Sequence, residues 1–305
     1  MPFAARPHFD WHLRTRALPL GQRTLIMGIL NVTPDSFSDG GHFYSPDSAP
    51  DRAVAHALQM LDEGADILDV GGESTRPNAT PLTPEEEQTR ILPAIEAILK
   101  QRPQTILSVD TFHAATARHA IAAGAEIVND VSGHLWDSAM SEVCAELGCG
   151  AILMHTRGRP QDWPHLPPLA TKEVLPLVLT GLRERLEAAT VAGIPVDNIV
   201  LDPGFGFGKR LDENYTLLAH LDQLRQLHQP ILVGVSRKSF LAYAREDLGA
   251  PRPDSRTWVP PDQRLNTTTA ANTAAVLAGA HILRVHDVRP AVEAAATADR
   301  ILNAL

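Results

Sequence analysis

Four times along this 305-residue chain a glycine and an alanine lead into a short apolar run that carries polar residues at its far end. Gly64-Ala65-Asp66 precedes Ile67-Leu68-Asp69-Val70, and Gly124-Ala125-Glu126 precedes Ile127-Val128-Asn129-Asp130. Gly150-Ala151 precedes Ile152-Leu153-Met154-His155, and Gly279-Ala280-His281 precedes Ile282-Leu283-Arg284-Val285-His286. The glycine is placed to close a helix, and each run is too short for a helix and rich in β-branched residues, so it reads as a strand buried on both faces. Similar runs at 25–30, 105–109, 199–201 and 231–235 bring the candidate strands to eight.

Helical periodicity fills the intervals. Ala53, Val54, Ala57, Leu58 and Leu61 share one face before Gly64. The spacing predicts helices over 51–63, 84–100, 112–123, 137–147, 172–192, 212–228, 264–279 and 289–303. Strands alternating with helices in an α/β chain pair in parallel, and a single (β/α)8 barrel domain over 1–305 is the economical closure because it leaves no edge strand. The competing arrangement is an open doubly wound sheet. Residues 1–23, with Trp11 and a polar turn near Leu20-Gly21-Gln22, read as a short β-hairpin plugging the barrel base. The Pro-, Arg- and Asp-rich stretch 246–263 reads as an exposed excursion between strand 7 and helix 7, preceded by a short extra helix near 239–246.

A hydrophobic content of 44% supports one large core, and no run approaches the ~20 apolar residues that span a bilayer. The expected setting is cytoplasmic, with no membrane partner. Two cysteines, Cys144 and Cys149, are too few for a zinc cluster or a disulfide framework and read as small buried side chains. The net charge of −9 argues against a nucleic-acid surface. Against it, Arg76, Lys209, Arg237, Lys238 and Arg284 fall at predicted strand ends, the rim where barrels build active sites, and suit an anionic small molecule. For Lys209 and Arg237 an ordinary surface position is an equal alternative.

The polar residues at successive strand ends are Asn31, Asp69, Asp110, Asn129 with Asp130, His155, Asp202, Ser236 to Lys238, Arg284 and His286. A barrel gathers them into one ring. Carboxylates that accept adjacent N–H groups, carboxamides that offer both polarities and a lysine can together read a heterocycle carrying amide donors and carbonyl acceptors. The bland alternative for each Asp or Asn is a helix N-cap. The loops 31–41 and 71–77 are polar and glycine-containing, suited to folding over a substrate, with Ser74 and Arg76 able to meet phosphate oxygens.

Other motifs fail on chemistry. Gly204-Phe205-Gly206-Phe207-Gly208-Lys209 has Pro203 where a Walker A loop needs its first Gly, and Arg210 in place of Ser or Thr. Gly234-Val235-Ser236-Arg237-Lys238 lacks the second Gly of a nucleophile elbow. His8 and His12 have metal-ligand spacing without supporting carboxylates and read as part of a mobile arm.

Taken together, residues 27–41, 69–77, 202–209, 236–239 and 284–287 resemble the dihydropteroate synthase family in order and in wording, and the resemblance runs from about Trp11 to the C-terminus. It implies a (β/α)8 barrel and a transferase of folate biosynthesis that joins 6-hydroxymethyl-7,8-dihydropterin pyrophosphate to 4-aminobenzoate and releases pyrophosphate. It implies that Asp110, Asn129, Asp202 and Lys238 hold the pterin, with Met154, Phe207 and Gly234 shaping the slot. Asn31, Arg284 and His286 would surround the pyrophosphate, and Asn31 would also be the protein ligand of Mg2+, a metal that tolerates one protein oxygen among phosphates and waters. Thr33, Phe37, Thr75, Arg76, Pro77, Ser236 and Lys238 would form the aminobenzoate pocket, which sulfonamide inhibitors occupy. Asp110, Asp202, Lys238, Arg284 and His286 carry the expected chemistry, an SN1-like substitution, and a homodimer through late barrel helices is expected by the same analogy.

The chain departs from the family pattern at Thr156, where Met is common, at His134, where a second Gly is common, and at Asn266-Thr267-Thr268, which replaces a Gly-containing stretch. Two competitors share parts of the pattern. A methyltetrahydrofolate methyltransferase domain has no use for Ser236-Arg237-Lys238 or the full 31–41 loop, and a non-catalytic pterin-binding barrel would be expected to lose Asn31, Lys238 or Arg284.

Overall fold

The computed structural model describes residues 3–33, 49–73, 81–242 and 259–304. Its strands are β1 (Phe9–His12), β2 (Ala17–Leu20), β3 (Leu25–Asn31), β4 (Ile67–Gly71), β5 (Ile106–Asp110), β6 (Ile127–Asp130), β7 (Gly150–Met154), β8 (Ile199–Asp202), β9 (Leu232–Val233) and β10 (Ile282–Val285). Its α-helices are α1 (Ala49–Asp62), α2 (Pro84–Gln101), α3 (Ala114–Ala122), α4 (Met140–Leu147), α5 (Thr171–Val191), α6 (Leu211–Ala219), α7 (Leu265–Leu277) and α8 (Val288–Leu302). Strands β3 to β10 form one eight-stranded sheet in the order β8-β7-β6-β5-β4-β3-β10-β9. The parallel bridge Leu201↔Ile231 then joins β8 to the segment entering β9 and completes the ring, which excludes the open doubly wound sheet.

All eight predicted strands are present. Gly64, Gly124 and Gly279 lead into β4, β6 and β10 with φ of +104°, +111° and +108°, the left-handed backbone that ends a helix. Gly150 differs. Gly148, at φ +61°, closes α4, and Gly150 already belongs to β7. A Cβ at position 150 would lie 2.7 Å from Leu13 Cδ2 and 3.2 Å from Trp11 Cζ2, so glycine here admits the hairpin to the barrel floor. The predicted helix over 212–228 is broken at His220 (φ −117°, ψ 18°), and its second half, Leu221–Leu227, is a 3₁₀ helix.

The apolar content forms two layers. One lies between sheet and helices and includes Leu68, Val109, Ile91, Ile95 and Leu283. The other fills the barrel floor, where Trp11, Leu13 and Leu20 pack on Met27, Ile67, Ile127, Ile152, Val200, Leu232 and Ile282. Trp11 is fully buried and its Nε1 donates to the Asn198 carbonyl at 2.9 Å. Burying one such ring contributes about 2–3 kcal/mol, so the hairpin is a fixed plug. It reverses at Leu13 to Arg16, where Leu13 N donates to Arg16 O at 2.8 Å, and the turn expected at Leu20-Gly21-Gln22 instead feeds the chain into β3. His12 pairs with Ala17 within the hairpin, which corrects its reading as part of a mobile arm.

Cys144 and Cys149 are buried free thiols. The 3₁₀ turn Ser239–Leu241 begins where the extra helix was expected, residues 243–258 of the excursion lie outside the described residues, and Val259 N donates to Ala242 O across it at 3.0 Å. Among the described residues no helix is long and apolar enough to cross a membrane.

Candidate active site

The register of the parallel strands sets the polar side chains side by side at the C-terminal rim. Asn31 pairs with Gly71, Gly71 with Asp110, Asp110 with Asn129, and Met154 with Asp202. Asp69 lies one pleat below this level on β4. Its Oδ2 accepts from Asn129 Nδ2 at 2.9 Å and from Arg284 Nε at 2.6 Å, and Arg284 Nη2 reaches Asp110 Oδ2 at 2.6 Å. One guanidinium thus spans two carboxylates from adjacent strands. Burial works against the Arg284 charge, and Asp69 and Asp110 more than offset it, holding the group above its ordinary value. Desolvation pushes the Asp110 carboxyl up to about 7, opposed by Arg284. Neither Asp110 nor Asn129 acts as a helix N-cap: α3 begins at Ala114 after His113.

Asp202, at the end of β8, is buried, and its Oδ1 accepts from Gly204 N at 2.7 Å. Burial raises its carboxyl above the ordinary range, opposed first by that backbone hydrogen bond and then by Lys238. Lys238 Nζ stands 4.1 Å from the centre of the Phe207 ring, and desolvation followed by repulsion from Arg284 lowers its ammonium to about 8. Met154 is 3% exposed beside Asp202. Among the described residues, a Cβ built on Gly234 would approach nothing closer than Arg284 Cβ at 3.8 Å. Packing therefore does not require glycine there, and the bare backbone leaves open space beside Arg284.

Ser236 and His286 meet. The Ser236 hydroxyl accepts from His286 N at 3.1 Å and lies 3.0 Å from His286 Nδ1. The hydroxyl has one proton and two lone pairs, so it can hold the imidazole through Nδ1 while accepting from the backbone, which fixes the ring and turns Nε2 away from Ser236. Burial, then Arg237 and Arg284, lowers His286 to about 3, so it is neutral.

Several members of the expected ring turn elsewhere. Asp130 caps a turn, accepting from Ser132 N at 2.7 Å and His134 N at 3.0 Å. His155 is buried against α5, where a Cβ on Gly181 would come within 2.6 Å of its ring. Lys209 is no surface cation: it is 5% exposed and donates to the carbonyls of His155, Gly204 and Phe207 at 3.2, 2.7 and 3.3 Å. Arg237, half-buried, forks onto Asp287 at 3.0 and 2.6 Å and takes φ +57°. His134 takes φ +67° and is held by Ser141 Oγ at 3.0 Å from Nδ1. Thr156 Oγ1 donates to Gly158 O at 3.0 Å. Phe37, Ser74, Thr75, Arg76 and Pro77 lie outside the described residues, whereas Thr33 is described and half-buried.

The role of Asp69 escaped the sequence reading, which placed it in the ring without a task. Its signal was an acid inside a run buried on both faces, a place that only a paired carboxylate tolerates. Ser236 was singled out for its neighbours in sequence, and its partner His286, fifty residues away, emerges only when β9 and β10 pair. As a metal donor the rim offers the Asn31 carboxamide, and among the described residues no group of three or more His, Cys, Asp or Glu could hold a metal ion. That donor set fits a hard cation held mainly by phosphate oxygens and water rather than by a protein cage.

Residues 27–286 match the family described as "Pterin binding enzyme". The chain is 39% identical to dihydropteroate synthase of Bacillus subtilis (strain 168), over 96% of this chain and 93% of that protein. Among solved structures, Xanthomonas albilineans dihydropteroate synthase with 4-aminobenzoic acid superposes with a TM-score of 0.80 at 41% identity, covering 97% of this chain and 98% of that one. The Yersinia pestis dihydropteroate synthase with a sulfonamide drug superposes with a TM-score of 0.83 at 39% identity, covering 98% and 100%. With the barrel, the rim and these likenesses in agreement, the chain belongs to the dihydropteroate synthase family of pterin binding enzymes.

Proposed function

We propose that this chain condenses 6-hydroxymethyl-7,8-dihydropterin pyrophosphate with 4-aminobenzoate, giving 7,8-dihydropteroate and pyrophosphate. The observation that carries the reading is the rim itself: Arg284 is paired with Asp110, Asp110 lies in register with Asn129, Lys238 stands over the Phe207 ring and counters the burial of Asp202, and Gly234 leaves bare backbone beside Arg284. The known ligands of the solved relatives, 4-aminobenzoic acid and a sulfonamide drug, fit that chemistry.

Asp110, Asn129 and Asp202 present acceptors and one carboxamide to the amide edge of the pterin, while Lys238 donates to a ring carbonyl or nitrogen above Phe207, and Met154 closes the slot. Departure of pyrophosphate from the methylene carbon breaks a C–O bond and leaves a cation delocalised over the electron-rich pterin. Fixed carboxylates at Asp110 and Asp202 stabilise it: at ~4 Å and an effective dielectric of ~20, one such pairing is worth roughly 4 kcal/mol before desolvation is subtracted. That corresponds to about a thousandfold in rate.

Arg284 and His286 meet the pyrophosphate oxygens, His286 through its Nε2 edge. Asn31 with those same oxygens would hold Mg2+, which supplies charge neutralisation for the leaving group when bound. The arylamine then forms the C–N bond and releases one proton, needing no strong base. Thr33, Phe37, Thr75, Arg76, Pro77, Ser236 and Lys238 are assigned to the aminobenzoate side, with the Ser236 hydroxyl serving His286 at the same time. A cytoplasmic setting and a homodimer through late helices complete the reading.

Steady-state turnover in the presence of a sulfonamide tests it. Inhibition competitive with 4-aminobenzoate is expected; inhibition indifferent to 4-aminobenzoate concentration would contradict the pocket assignment.

A further inference from the structure

We infer that Asp69 is a positioning residue that couples the pterin slot to the pyrophosphate slot, acting through Asn129 on one side and Arg284 on the other. The inference rests on the assignment of those two residues in the proposed function and goes beyond it, because Asp69 is fully buried and has no direct task there.

One oxygen makes both contacts. Asp69 Oδ2 accepts from Asn129 Nδ2 at 2.9 Å and from Arg284 Nε at 2.6 Å, while Oδ1 is buried with no hydrogen-bond partner among the described residues. An aspartate kept for stability alone would satisfy both oxygens, since an orphaned buried acceptor is costly. The carboxylate is instead committed to a single shared point. Two donors on one oxygen draw on the same charge, so a pull on either is felt by the other.

The remaining geometry gives this point two states. Arg284 holds Asp69 through Nε and Asp110 through Nη2, and the two acids differ in exposure: the Asp69 side chain is 0% exposed and that of Asp110 17%. Asp110, on the pterin side, is the contact that a ligand can take over. Asp69 is the one that stays. When a pterin engages Asp110, the Nη2 arm of Arg284 is released toward the phosphates, with Asp69 as its pivot. When pyrophosphate draws on Arg284, Asp69 Oδ2 turns more fully to Asn129 and fixes its carboxamide for the ring. Occupancy of either slot therefore favours the other, a coupling that typically reaches about five-fold or more in affinity.

Calorimetric titration of 6-hydroxymethylpterin, which lacks the diphosphate, in the presence and absence of inorganic pyrophosphate with Mg2+ tests this. For the wild-type chain the pterin Kd is expected to tighten at least about five-fold when pyrophosphate is present. In Asp69→Asn pterin binding should persist and that ratio should fall to about one. Asp299→Asn, which breaks the buried Arg6–Asp299 pair on the barrel floor, should lower stability and keep the ratio. A ratio retained in Asp69→Asn, or lost equally in Asp299→Asn, would overturn the inference. So would a wild-type chain that binds pterin with no response to pyrophosphate, whereas a wild-type chain that binds no pterin at all overturns the proposed function as well. A variant-free readout accompanies these: in wild-type chain labelled with 15N at Asn, pyrophosphate alone should shift the Asn129 side-chain amide resonance, and an unmoved amide would overturn the coupling.

Discussion

Lys238 holds its ammonium 4.1 Å above the centre of the Phe207 ring, and the loop that carries Phe207 is pinned from beneath by Lys209. One lysine is thus placed for a ligand and the other spends its hydrogen bonds on backbone carbonyls. The first predicts a loss of chemistry on truncation. Lys238→Ala should lower kcat/KM by about a hundredfold or more while leaving the circular dichroism spectrum intact, because a charge-assisted donor at the pterin is worth roughly 3 kcal/mol. A near-wild-type kcat/KM would remove Lys238 from the site.

Lys209→Met should act differently. It removes donors from the carbonyls of His155, Gly204 and Phe207 and leaves them buried, which costs about 2–4 kcal/mol of stability. The Gly204-to-Lys209 loop then loses its shape, so thermal melting should fall and KM for the pterin substrate should rise together. An unchanged melting temperature would show that the loop holds without it.

The pH dependence of kcat/KM should be bell-shaped. Asp110, raised to about 7 by burial, must be ionised to accept hydrogen bonds, so the rate falls as pH drops below that value. Lys238, lowered to about 8 by burial, must be protonated to donate, so the rate falls as pH rises above it. Asp110→Asn should abolish the acid limb at a much lower plateau. A profile flat from pH 6 to 9 would contradict both assignments.

Stability should decline on acidification as the buried histidines are forced to take up protons. Burial holds His134, His155, His281 and His286 neutral, at about 4, 2, 4 and 3. His281 shows why: its Nδ1 accepts from Ile231 N at 3.1 Å while Nε2 faces the Pro7 carbonyl at 3.1 Å, an arrangement that needs one proton and no more. These folded-state values lie below the ~6.5 of an unfolded chain, so the stabilisation is complete above that pH and is lost progressively as pH falls toward the folded values. At pH 5 each imidazole accounts for up to about 2 kcal/mol. Denaturant midpoints measured between pH 7.5 and 5 should fall, and a level midpoint would refute the buried-neutral reading.

If ionisation precedes attack, substrate carrying 18O in the bridging position should scramble the label on incubation with enzyme and Mg2+ without 4-aminobenzoate. Recovery of unscrambled substrate after many turnover times would favour a concerted displacement.

Most of the barrel was legible because a strand buried on both faces and a helix closed by glycine leave strong local marks, as at Gly64 and Ile67. The errors came where tertiary contact decides. Gly150 serves Leu13 and Trp11, distant in sequence, and His220 interrupts a helix whose periodicity continues through it. In the site, strand-end position pointed to Asp110, Asn129, Asp202 and Arg284, which the structure gathers at one rim, but direction along the pleat was invisible. Asp130 and His155 therefore looked equivalent to their neighbours while turning into a cap and against a helix. Charge sign alone likewise left Lys209 and Arg237 undecided, since their carbonyl and Asp287 partners are assembled only by the closed ring.

The central claim is that this rim forms a C–N bond with release of pyrophosphate. Purified chain should be incubated with 6-hydroxymethyl-7,8-dihydropterin pyrophosphate, 4-aminobenzoate and Mg2+, with and without chelator, and both products quantified. Dihydropteroate and pyrophosphate are expected in equal amounts, with chelator abolishing both. Tight pterin binding with no dihydropteroate, where a known synthase turns over, would contradict it and leave a methyl-transfer or non-catalytic pterin barrel.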